Sequence, residues 1–434
     1  MTIEELYEIF LRHPQVTTDS RRCPEGSIFF ALKGENFNDN RFAEKALEQG
    51  CSYAVVDESE AADNARCILV DDVLTALQQL ARMHREHFRG PVIQITGTNG
   101  KTTTKELVST VLAQKYNVLF TQGNLNNHIV VPLTLLRLTG DHDIAVIETG
   151  ANHPGEIAAL SNIVKADYGL ITNVGRAHLE GFGSFEGVKK TKGELYDDLQ
   201  RRGATIFLNA QDDDLLSMAT ARGFSIGDNA IPYIDGQVVE CAPFLKMQWR
   251  ESDEPHTIET HLIGAYNIAN IRAAITVGLK FGVTPAQIGC AIEGYVPSNS
   301  RSELRRTERN QLIVDAYNAN PSSMAAALQN FALITPPEGS KKMAILGEMR
   351  ELGADSEAEH RKIMDMLAKM EMEEVWLVGK NYAALNYQNT ALNARYFNDV
   401  EAVKAELSNN SLTGRTILIK GSNGNKLFEL PEFL

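Results

Sequence analysis

The segment VIQITGTNGKTTTKELVSTVL, residues 92–112, constrains the fold of this chain more than any other. It begins with a short, largely apolar run that is typical of a buried strand. Gly97 and Gly100 then permit a tight turn, and from Lys101 the apolar residues recur at helical spacing. A strand, a glycine-containing turn and a helix in this order form the repeating unit of parallel α/β sheets. The segment therefore predicts an α/β fold.

The same turn predicts a phosphate-binding loop. The pattern G-x-x-x-x-G-K-[ST] is present without its first glycine, because Ile95 stands at that position. Backbone N–H groups of such a turn and of the following helix N-terminus point towards an anion. We expect Lys101 to reach the β- and γ-phosphates of a nucleotide and Thr102 to bind Mg²⁺. The alternative is a polar turn that binds nothing, which the flanking strand and helix disfavour.

Length and composition exclude several classes of protein. A chain of 434 residues is too long for one core and predicts two or three domains. No apolar run approaches the ~20 residues of a membrane span, and the start MTIEELYEIF lacks the features of a secretory signal, so we expect a cytoplasmic protein. The net charge of −14 disfavours nucleic-acid binding. The five cysteines form no C-x-x-C pair and predict neither a disulfide framework nor a zinc site.

Breaks in the strand and helix pattern predict three α/β domains, at residues 1–88, 89–299 and 300–434. The first boundary follows from the helix-breaking HFRGP, and the second lies in the polar connector GYVPSNSR. Between them we expect strands and helices to alternate over about 200 residues. Near-continuous apolar strands such as IAVIET indicate a mostly parallel sheet covered by helices. The phosphate loop belongs to this central domain.

Three further polar residues lie at places where such a sheet binds ligands. Glu148 ends the strand that begins at Ile144, and it could complete a Mg²⁺ site with Thr102. His178 follows the next strand in a glycine-rich loop, and Lys192 lies on a predicted helix. Taken singly, these residues also fit a solvated strand end, a solvated loop histidine and an exposed helix charge. The residues alone leave these alternatives open.

A series of motifs gives a more specific indication. In chain order they are GTNGKTTTKE, TQGNLNNHIVVPLTLL, IETGANHPGEI, ITNVGRAHLEGFGS, TKGELY, GAYNIAN, DAYNANPSSM, LGEMRELGADSEAEH and LIKGS. At these separations they resemble the Mur ligases of peptidoglycan synthesis, and the resemblance extends from TTDSRR near the N-terminus to LIKGS. It implies an N-terminal α/β domain for a UDP-linked substrate, a central P-loop domain and a C-terminal Rossmann-like domain.

The resemblance implies ATP as the nucleotide. It places Asn267 and Asn270 at the adenine and phosphates, Arg301 at the phosphates and Asp315 near the ribose. The complete set of residues expected to bind ATP is Gly97, Thr98, Asn99, Gly100, Lys101, Thr102, Thr103, Asn267, Asn270, Arg301 and Asp315.

The resemblance also implies two Mg²⁺ ions. Thr102 and Glu148 would bind the first, while His178 would bind the second together with a carbamate formed from CO₂ on Lys192. Lys101, His178 and Lys192 are then the expected catalytic residues.

The implied reaction joins D-Ala-D-Ala to UDP-N-acetylmuramoyl-tripeptide through an acyl phosphate, in an ATP-dependent peptide ligase that acts as a monomer. No nucleic acid or membrane takes part. The residues implied to hold the UDP-linked peptide are Asp19, Ser20 and Arg21 at its uridine end, and Asn126, Asn127 and Asn318 elsewhere.

Two segments depart from the motifs of relatives. Residues 38–42 read NDNRF where D-G-H-x-F is common, and residues 420–425 read KGSNGN where K-G-S-R-S-M is common. Both are expected to face substrate rather than ATP.

Two other functions are the alternatives. One is a folylpolyglutamate synthase, whose family begins close to its phosphate loop, and the other is a nucleotide-switched ATPase, which needs a Walker-B Asp and switch loops. The third residue of the acceptor peptide stays open.

Overall fold

The computed structural model describes residues 1–251, 254–297, 301–385, 387 and 392–434. Three sheets that are wholly or mostly parallel follow one another along the chain, and a small antiparallel sheet lies between the second and the third. The predicted α/β class is confirmed. No described helix combines the length and the apolar character that a membrane span requires.

The N-terminal region contains a four-stranded parallel sheet in the order β1-β2-β5-β6 and a separate two-stranded hairpin. Helix α1 packs on α3, and its buried face joins the main hydrophobic core. The elements are α1 (Ile3–Arg12), β1 (Val16–Thr17), β2 (Ile28–Phe30), β3 (Lys33–Gly34), β4 (Phe37–Asn38), α2 (Ala43–Glu48), β5 (Tyr53–Val56), β6 (Cys67–Leu69) and α3 (Val73–His87).

The central region contains a six-stranded parallel sheet in the order β12-β11-β10-β7-β9-β8. Its elements are β7 (Val92–Thr96), α4 (Lys101–Leu112), β8 (Val118–Phe120), α5 (Val130–Leu135), β9 (Ile144–Glu148), α6 (Glu156–Val164), β10 (Tyr168–Ile171), α7 (Leu179–Phe182), α8 (Phe185–Arg201), β11 (Thr205–Leu208), α9 (Asp213–Thr220) and β12 (Ala230–Pro232).

The order of these strands determines where a ligand can bind. From β7 the chain fills one side of the sheet with β8 and β9, and then crosses to the other side with β10 to β12. Open α/β sheets bind ligands at such a switch point, beyond the carboxyl ends of the strands. Strands β7 and β9 are buried at every position, as expected for strands covered on both faces. The phosphate loop leaves β7 at the switch point.

The expected strand–helix alternation over about 200 residues is wrong for residues 236–263. These form an antiparallel sheet of β13 (Gly236–Cys241), β14 (Phe244–Glu251) and β15 (Glu254–Ile263), followed by α10 (Ile268–Lys280) and α11 (Pro285–Glu293). In β14 the buried Leu245, Met247 and Trp249 alternate with more exposed residues. That period of two is typical of an antiparallel strand with one face on the core.

The C-terminal region contains a six-stranded sheet in the order β16-β17-β21-β18-β19-β20, in which β16 is antiparallel to β17 and the other pairs are parallel. Its elements are β16 (Glu303–Arg306), β17 (Asn310–Asp315), α12 (Pro321–Leu333), β18 (Lys341–Gly347), α13 (Ser356–Leu367), β19 (Glu374–Val378), α14 (Lys380–Ala384), β20 (Ala394–Phe397), α15 (Val400–Asn409) and β21 (Arg415–Lys420). The domain limits at residues 88 and 299 stay predictions, and the connector GYVPSNSR lies partly outside the described residues.

Candidate active site

A cleft of about 1010 Å³ lies between the central and C-terminal regions. Its central wall consists of the loops that follow β7, β8, β9 and β10. The opposite wall consists of residues from 301 to 326, Arg350, Glu351 and residues 420 and 422–424. The cleft therefore combines the carboxyl edge of the central sheet with loops of the C-terminal sheet, which is where an α/β protein binds its ligands.

The phosphate loop requires both of its glycines. Gly97 and Gly100 have φ angles of 143° and 77°, a backbone region that favours glycine. A Cβ on Gly97 would lie 2.0 Å from Thr172 Oγ1, and one on Gly100 would lie 2.7 Å from Asn270 Oδ1. The missing first glycine does not affect this turn, because Ile95 is a buried residue within β7.

Lys101 begins helix α4 and folds back over the loop. Its Nζ donates hydrogen bonds to the carbonyl oxygens of Gly97 at 2.9 Å and Thr98 at 3.0 Å. Burial lowers the pKa of Lys101, while the nearby Glu148 carboxylate acts in the opposite direction. Thr98, Asn99, Gly100, Lys101, Thr102 and Thr103 all line the cleft. An anion at this turn would meet the ammonium group and the helix N-terminus together.

Glu148 has the geometry of a cation ligand and is not a solvated strand end, because it is only 1% exposed. Its Oε1 accepts hydrogen bonds from Thr102 Oγ1 at 3.2 Å and from Asn126 Nδ2 at 2.8 Å. Its Oε2 is buried without a hydrogen-bond partner. A buried carboxylate oxygen normally has a partner, so this one fits Mg²⁺ beside the Thr102 hydroxyl.

Asn267 and Asn270 lie side by side at the phosphate loop. Thr104 Oγ1 donates to Asn270 Oδ1 at 3.0 Å, and Asn270 Nδ2 donates to Asn267 Oδ1 at 2.8 Å. Asn267 Nδ2 donates in turn to the carbonyl of Ile263, the last residue of β15. This chain of hydrogen bonds fixes both amides at the wall of the cleft and connects α4 to the end of β15.

The C-terminal wall carries three predicted residues, Arg301, Asp315 and Asn318. The guanidinium carbon of Arg301 lies 3.8 Å from the centre of the Tyr317 ring. Lys420 Nζ donates to Asp315 Oδ2 at 2.6 Å and to the carbonyl of Asn318 at 3.0 Å. These groups face the phosphate loop across the cleft, which is consistent with a nucleotide held between the two regions.

His178 is not a solvated loop residue. It has a left-handed backbone conformation, with φ at 50°, and its Nδ1 is hydrogen-bonded to the Glu351 carboxylate of the C-terminal region. Burial lowers the pKa of His178, the Glu351 carboxylate acts in the opposite direction, and the positive charges of Lys101 and Lys192 add to the effect of burial. His178 therefore lines the cleft at a contact between the central and C-terminal regions.

Lys192 is buried, so the alternative of an exposed helix charge is wrong. Its Nζ donates to the carbonyl of Ala151 at 3.4 Å and lies 5.4 Å from the centre of the Phe182 ring. Burial lowers its pKa to about 7, and the positive charge of Lys101 adds to this effect. Lys192 lies just behind the wall of the cleft, which Ala151 itself lines.

The predicted substrate residues fall into two places. Asn126 and Asn127 line the cleft, and Asn127 Oδ1 also accepts the backbone N–H groups of residues 129 and 130. Asp19, Ser20 and Arg21 lie outside the cleft, in the N-terminal region. Arg21 donates to both oxygens of Asp19, at 2.9 and 3.1 Å, and these hydrogen bonds lower the pKa of Asp19 to about 2.

Comparison with known proteins decides the family. A family model described as the Mur ligase middle domain matches residues 95–278, and one described as the Mur ligase, glutamate ligase domain matches residues 300–423. A UDP-N-acetylmuramoyl-tripeptide–D-alanyl-D-alanine ligase of Bacillus subtilis (strain 168) is 35% identical over 453 aligned positions, which cover 100% of this chain and 97% of the relative. The chain is a Mur ligase. The implied family is thereby confirmed.

Solved structures support the same architecture for this Mur ligase. A MurF from Acinetobacter baumannii has 28% identity and a TM-score of 0.85, over 99% of this chain and 98% of the other. The MurF ligase of Thermotoga maritima, solved in complex with ADP, has 25% identity and a TM-score of 0.84, over 98% and 97% of the two chains. The similarity includes the N-terminal region, so the predicted three-domain Mur ligase fold is confirmed.

Several residues of the cleft were not predicted individually from the sequence. Asn173 follows β10, and its Oδ1 accepts the backbone N–H of Asn99 at 3.0 Å. Asn320 Nδ2 donates to Asn99 Oδ1 at 2.8 Å from the opposite wall. Arg350 and Glu351 also line the cleft. The motifs ITNVGRAHLEGFGS, DAYNANPSSM and LGEMRELGADSEAEH contain these residues, but a motif does not say which of its side chains face the ligand.

Proposed function

We propose that this Mur ligase joins D-Ala-D-Ala to UDP-N-acetylmuramoyl-tripeptide, with conversion of ATP to ADP and phosphate. The observation that carries the proposal is the similarity over the whole length to a ligase with these substrates. A folylpolyglutamate synthase is disfavoured, because the similarity includes the roughly 90 residues before the phosphate loop. The cleft between the central and C-terminal regions is the proposed site of the reaction.

The first step makes the peptide carboxylate reactive. A carboxylate oxygen of the tripeptide attacks the γ-phosphorus of ATP, the bond to the β-phosphate oxygen breaks, and an acyl phosphate and ADP result. Lys101 leaves the carbonyl groups of Gly97 and Thr98 to neutralise the charge on the phosphates. Arg301 approaches them from the C-terminal wall. The protein thus contributes positioning and electrostatic stabilisation.

The second step forms the amide. The neutral amine of D-Ala-D-Ala attacks the acyl carbon, the amine loses a proton, and the tetrahedral intermediate collapses with release of phosphate. Acyl phosphates react with water, so the cleft must exclude it. Contacts between the two walls serve this purpose: Asn320 bonds to Asn99, and the backbone N–H of Arg176 donates to Ser322 Oγ at 3.1 Å.

The residues of the cleft fit Mg²⁺ as a cofactor. Thr102 and Glu148 would hold one ion, and the unpartnered Glu148 oxygen supports this assignment. His178 and a carbamate on Lys192 would hold a second ion. Within the described part of the chain, no group of three His, Cys, Asp or Glu side chains is arranged for a metal. When bound, Mg²⁺ supplies positive charge that offsets the phosphate oxygens and orients them.

A carbamate on Lys192 is chemically reasonable at this position. Only a neutral amine reacts with CO₂, and burial lowers the pKa of Lys192 to about 7, so a large fraction is neutral near that pH. The product is an anion with two oxygens, which suits Mg²⁺ better than an ammonium group does. Labelling with ¹³C-bicarbonate should give a carbamate NMR signal in the wild type and none in Lys192→Ala.

The remaining assignments concern the ends of the UDP-linked substrate. Asp19, Ser20 and Arg21 hold the uridine end in this proposal, and Asn126, Asn127 and Asn318 contact the remainder from the cleft. The exposed Arg21 fork suits a diphosphate. The reaction consumes ATP and a nucleotide-linked precursor, which favours the cytoplasm. A monomer stays the expectation that the resemblance implies.

The decisive experiment analyses products by mass spectrometry. Purified protein is incubated with ATP, Mg²⁺, D-Ala-D-Ala and UDP-N-acetylmuramoyl-tripeptides that carry either diaminopimelate or lysine as third residue. The expected product is the UDP-linked pentapeptide, with one ADP for each amide, and omission of either peptide should abolish it. Lys101→Ala should form no product while it retains the wild-type circular dichroism spectrum. ADP formation without either peptide would instead favour an ATPase.

A further inference from the structure

Lys105 is a buried lysine that the proposed reaction does not use. It lies on α4 one turn after Lys101, yet its side chain is 0% exposed and does not line the cleft. Burial lowers its pKa, while the Glu106 and Glu148 carboxylates act in the opposite direction. A lysine is rarely buried, because its ammonium group loses its solvation by water. The contacts of this ammonium group therefore indicate what it does.

Three contacts surround the ammonium group. Its Nζ donates to the carbonyl oxygen of Gly123 at 3.0 Å and to Glu106 Oε1 at 3.4 Å. It also lies 5.5 Å from the centre of the Phe120 ring. Glu106 is held in turn by the hydroxyl of Tyr295, which donates to Oε2 at 2.5 Å. A carbonyl, a carboxylate and a ring face thus replace water around the three N–H donors of the ammonium group.

The carbonyl of Gly123 belongs to the asparagine loop, residues 122–127, which follows β8 and reads QGNLNN. Its first half turns at Gly123, which has a φ of 55°, and the backbone N–H of Leu125 donates to the carbonyl of Gln122 at 3.3 Å across this turn. Within the described residues, the bond from Lys105 is the one hydrogen bond that joins this half to another segment. The position of the turn therefore depends on Lys105.

The second half of the asparagine loop carries two residues that are proposed to contact the UDP-linked peptide. Asn126 Nδ2 donates to Glu148 Oε1 at 2.8 Å, and the carbonyl of Asn126 accepts the backbone N–H of Gly150 at 2.9 Å. Both Asn126 and Asn127 line the cleft. Lys105 thus holds from behind the cleft a loop whose other end forms part of the cleft wall.

We propose that Lys105 is a positioning residue that holds the asparagine loop ready for the UDP-linked tripeptide. The inference rests on the proposed function, and it adds a residue that itself lies outside the cleft. Without the ammonium group the loop must be ordered when the substrate binds, and this cost weakens binding. The phosphate loop makes its own turn between β7 and α4, so ATP should bind as before.

The test uses Lys105→Met, which retains a long apolar side chain but has no charge and no donor. Calorimetric titration should show about 10- to 100-fold weaker binding of UDP-N-acetylmuramoyl-tripeptide and unchanged binding of ATP, because a hydrogen bond from a charged donor is lost. In steady-state assays the KM for the UDP-linked tripeptide should rise by a similar factor, with a smaller change in kcat.

Hydrogen exchange gives a second readout that needs no ligand. The backbone amides of residues 122–127 should exchange faster in Lys105→Met than in the wild type, and those of β7 and β9 should exchange at the wild-type rate. Lys105→Gln has a neutral donor and should be intermediate in both measurements. This second variant decides the question if Lys105→Met does not fold.

Lys115→Met is the matched control. Lys115 is exposed just after α4, and its Nζ donates to the carbonyl of Gly282 at 3.0 Å. The variant therefore loses the same kind of lysine–carbonyl contact at a place away from the cleft. Its affinity for both ligands and its exchange at residues 122–127 should match those of the wild type.

Three outcomes would overturn the inference. Wild-type exchange at residues 122–127 in a folded Lys105 variant would show that the asparagine loop does not depend on this residue. Equal losses of affinity for ATP and for the UDP-linked tripeptide would show a general effect of the buried charge. Faster exchange throughout the protein without a selective loss of tripeptide binding would assign Lys105 to stability alone. Failure of the wild type to bind the UDP-linked tripeptide would contradict the proposed function instead.

Discussion

Lys192 is a titratable amine that is almost completely buried, 2% exposed, beside the ring of Phe182. Lys192→Ala should lose roughly 10² to 10³ in ligation rate, because the variant cannot form the proposed carbamate and lacks its anionic oxygen. Acetate or propionate should restore part of the rate by occupying the vacated site. Lys192→Arg should not be rescued, since its guanidinium stays cationic. Steady-state assays with and without added carboxylate measure the ligation rate of each variant.

Lys190→Ala is the control for this experiment, because Lys190 is exposed on the same helix α8. Its activity should match that of the wild type. A folded Lys192→Ala protein with full activity in the absence of added carboxylate would contradict the carbamate.

Arg21 is the residue on which binding of the uridine end depends in our proposal. Its side chain is 84% exposed and pairs only with the neighbouring Asp19 in the described structure. Arg21→Ala should weaken binding of the UDP-linked tripeptide about tenfold or more and leave ATP affinity unchanged, because charge-assisted hydrogen bonds to a diphosphate are lost. Calorimetric titration with each ligand measures this. Arg12→Ala, on α1, should bind both ligands normally, and parallel losses for the two ligands in Arg21→Ala would indicate misfolding.

The loop between β18 and α13 depends on a neutral histidine. His360 is buried; its Nε2 accepts the backbone N–H of Met349 at 3.0 Å, and its Nδ1 donates to the carbonyl of Ser356 at 2.7 Å. Burial lowers the pKa of His360 below the ordinary value of 6.5. The unfolded chain therefore binds a proton at a higher pH than the folded one. The contribution of neutral His360 to the free energy of unfolding is therefore complete above pH 6.5, and it decreases as the pH falls through the lowered pKa of His360.

His360→Gln should reduce this pH dependence. The variant should be less stable than wild type at pH 7.5, yet its urea midpoint should fall less between pH 7.5 and pH 5, because no buried imidazole takes up a proton. His87→Gln removes an exposed histidine and should retain the wild-type pH profile. Identical profiles for wild type and His360→Gln would show that His360 does not titrate in the folded loop.

The two walls of the cleft are held together by contacts between distant parts of the chain. Arg176 Nη1 lies 3.4 Å from Glu359 Oε1, and the backbone N–H of Glu180 donates to the carbonyl of Glu351 at 3.2 Å. Arg176→Ala should loosen this closure and admit water, so that more acyl phosphate hydrolyses. We expect more than one ADP for each amide, measured by coupled ADP and product assays.

Arg361→Ala is the control, because Arg361 forms an exposed ion pair with Glu357 within helix α13. It should still produce one ADP for each amide. An unchanged ratio in Arg176→Ala would mean that this contact does not keep water from the intermediate.

Local sequence patterns were sufficient to predict the elements whose conformation depends on residues nearby in sequence. Strands β7 and β9 and helix α4 lie where apolar periodicity predicted them, and the phosphate loop follows from glycines and a lysine within a few residues. Periodicity reports which face of an element is buried, since backbone geometry fixes the repeat. The antiparallel sheet at residues 236–263 was missed because its period of two was read within a longer strand–helix alternation.

Tertiary packing determined the contacts between residues that are distant in sequence. Burial lowers the pKa of Lys192 and leaves Oε2 of Glu148 without a hydrogen-bond partner, and neither property can be inferred from the residue type alone. The contact of His178 with Glu351 spans 173 residues, and Arg350 meets Gly424 across two loops of one sheet. Such contacts depend on strand order and on the space that side chains leave, which are set only when the chain has folded.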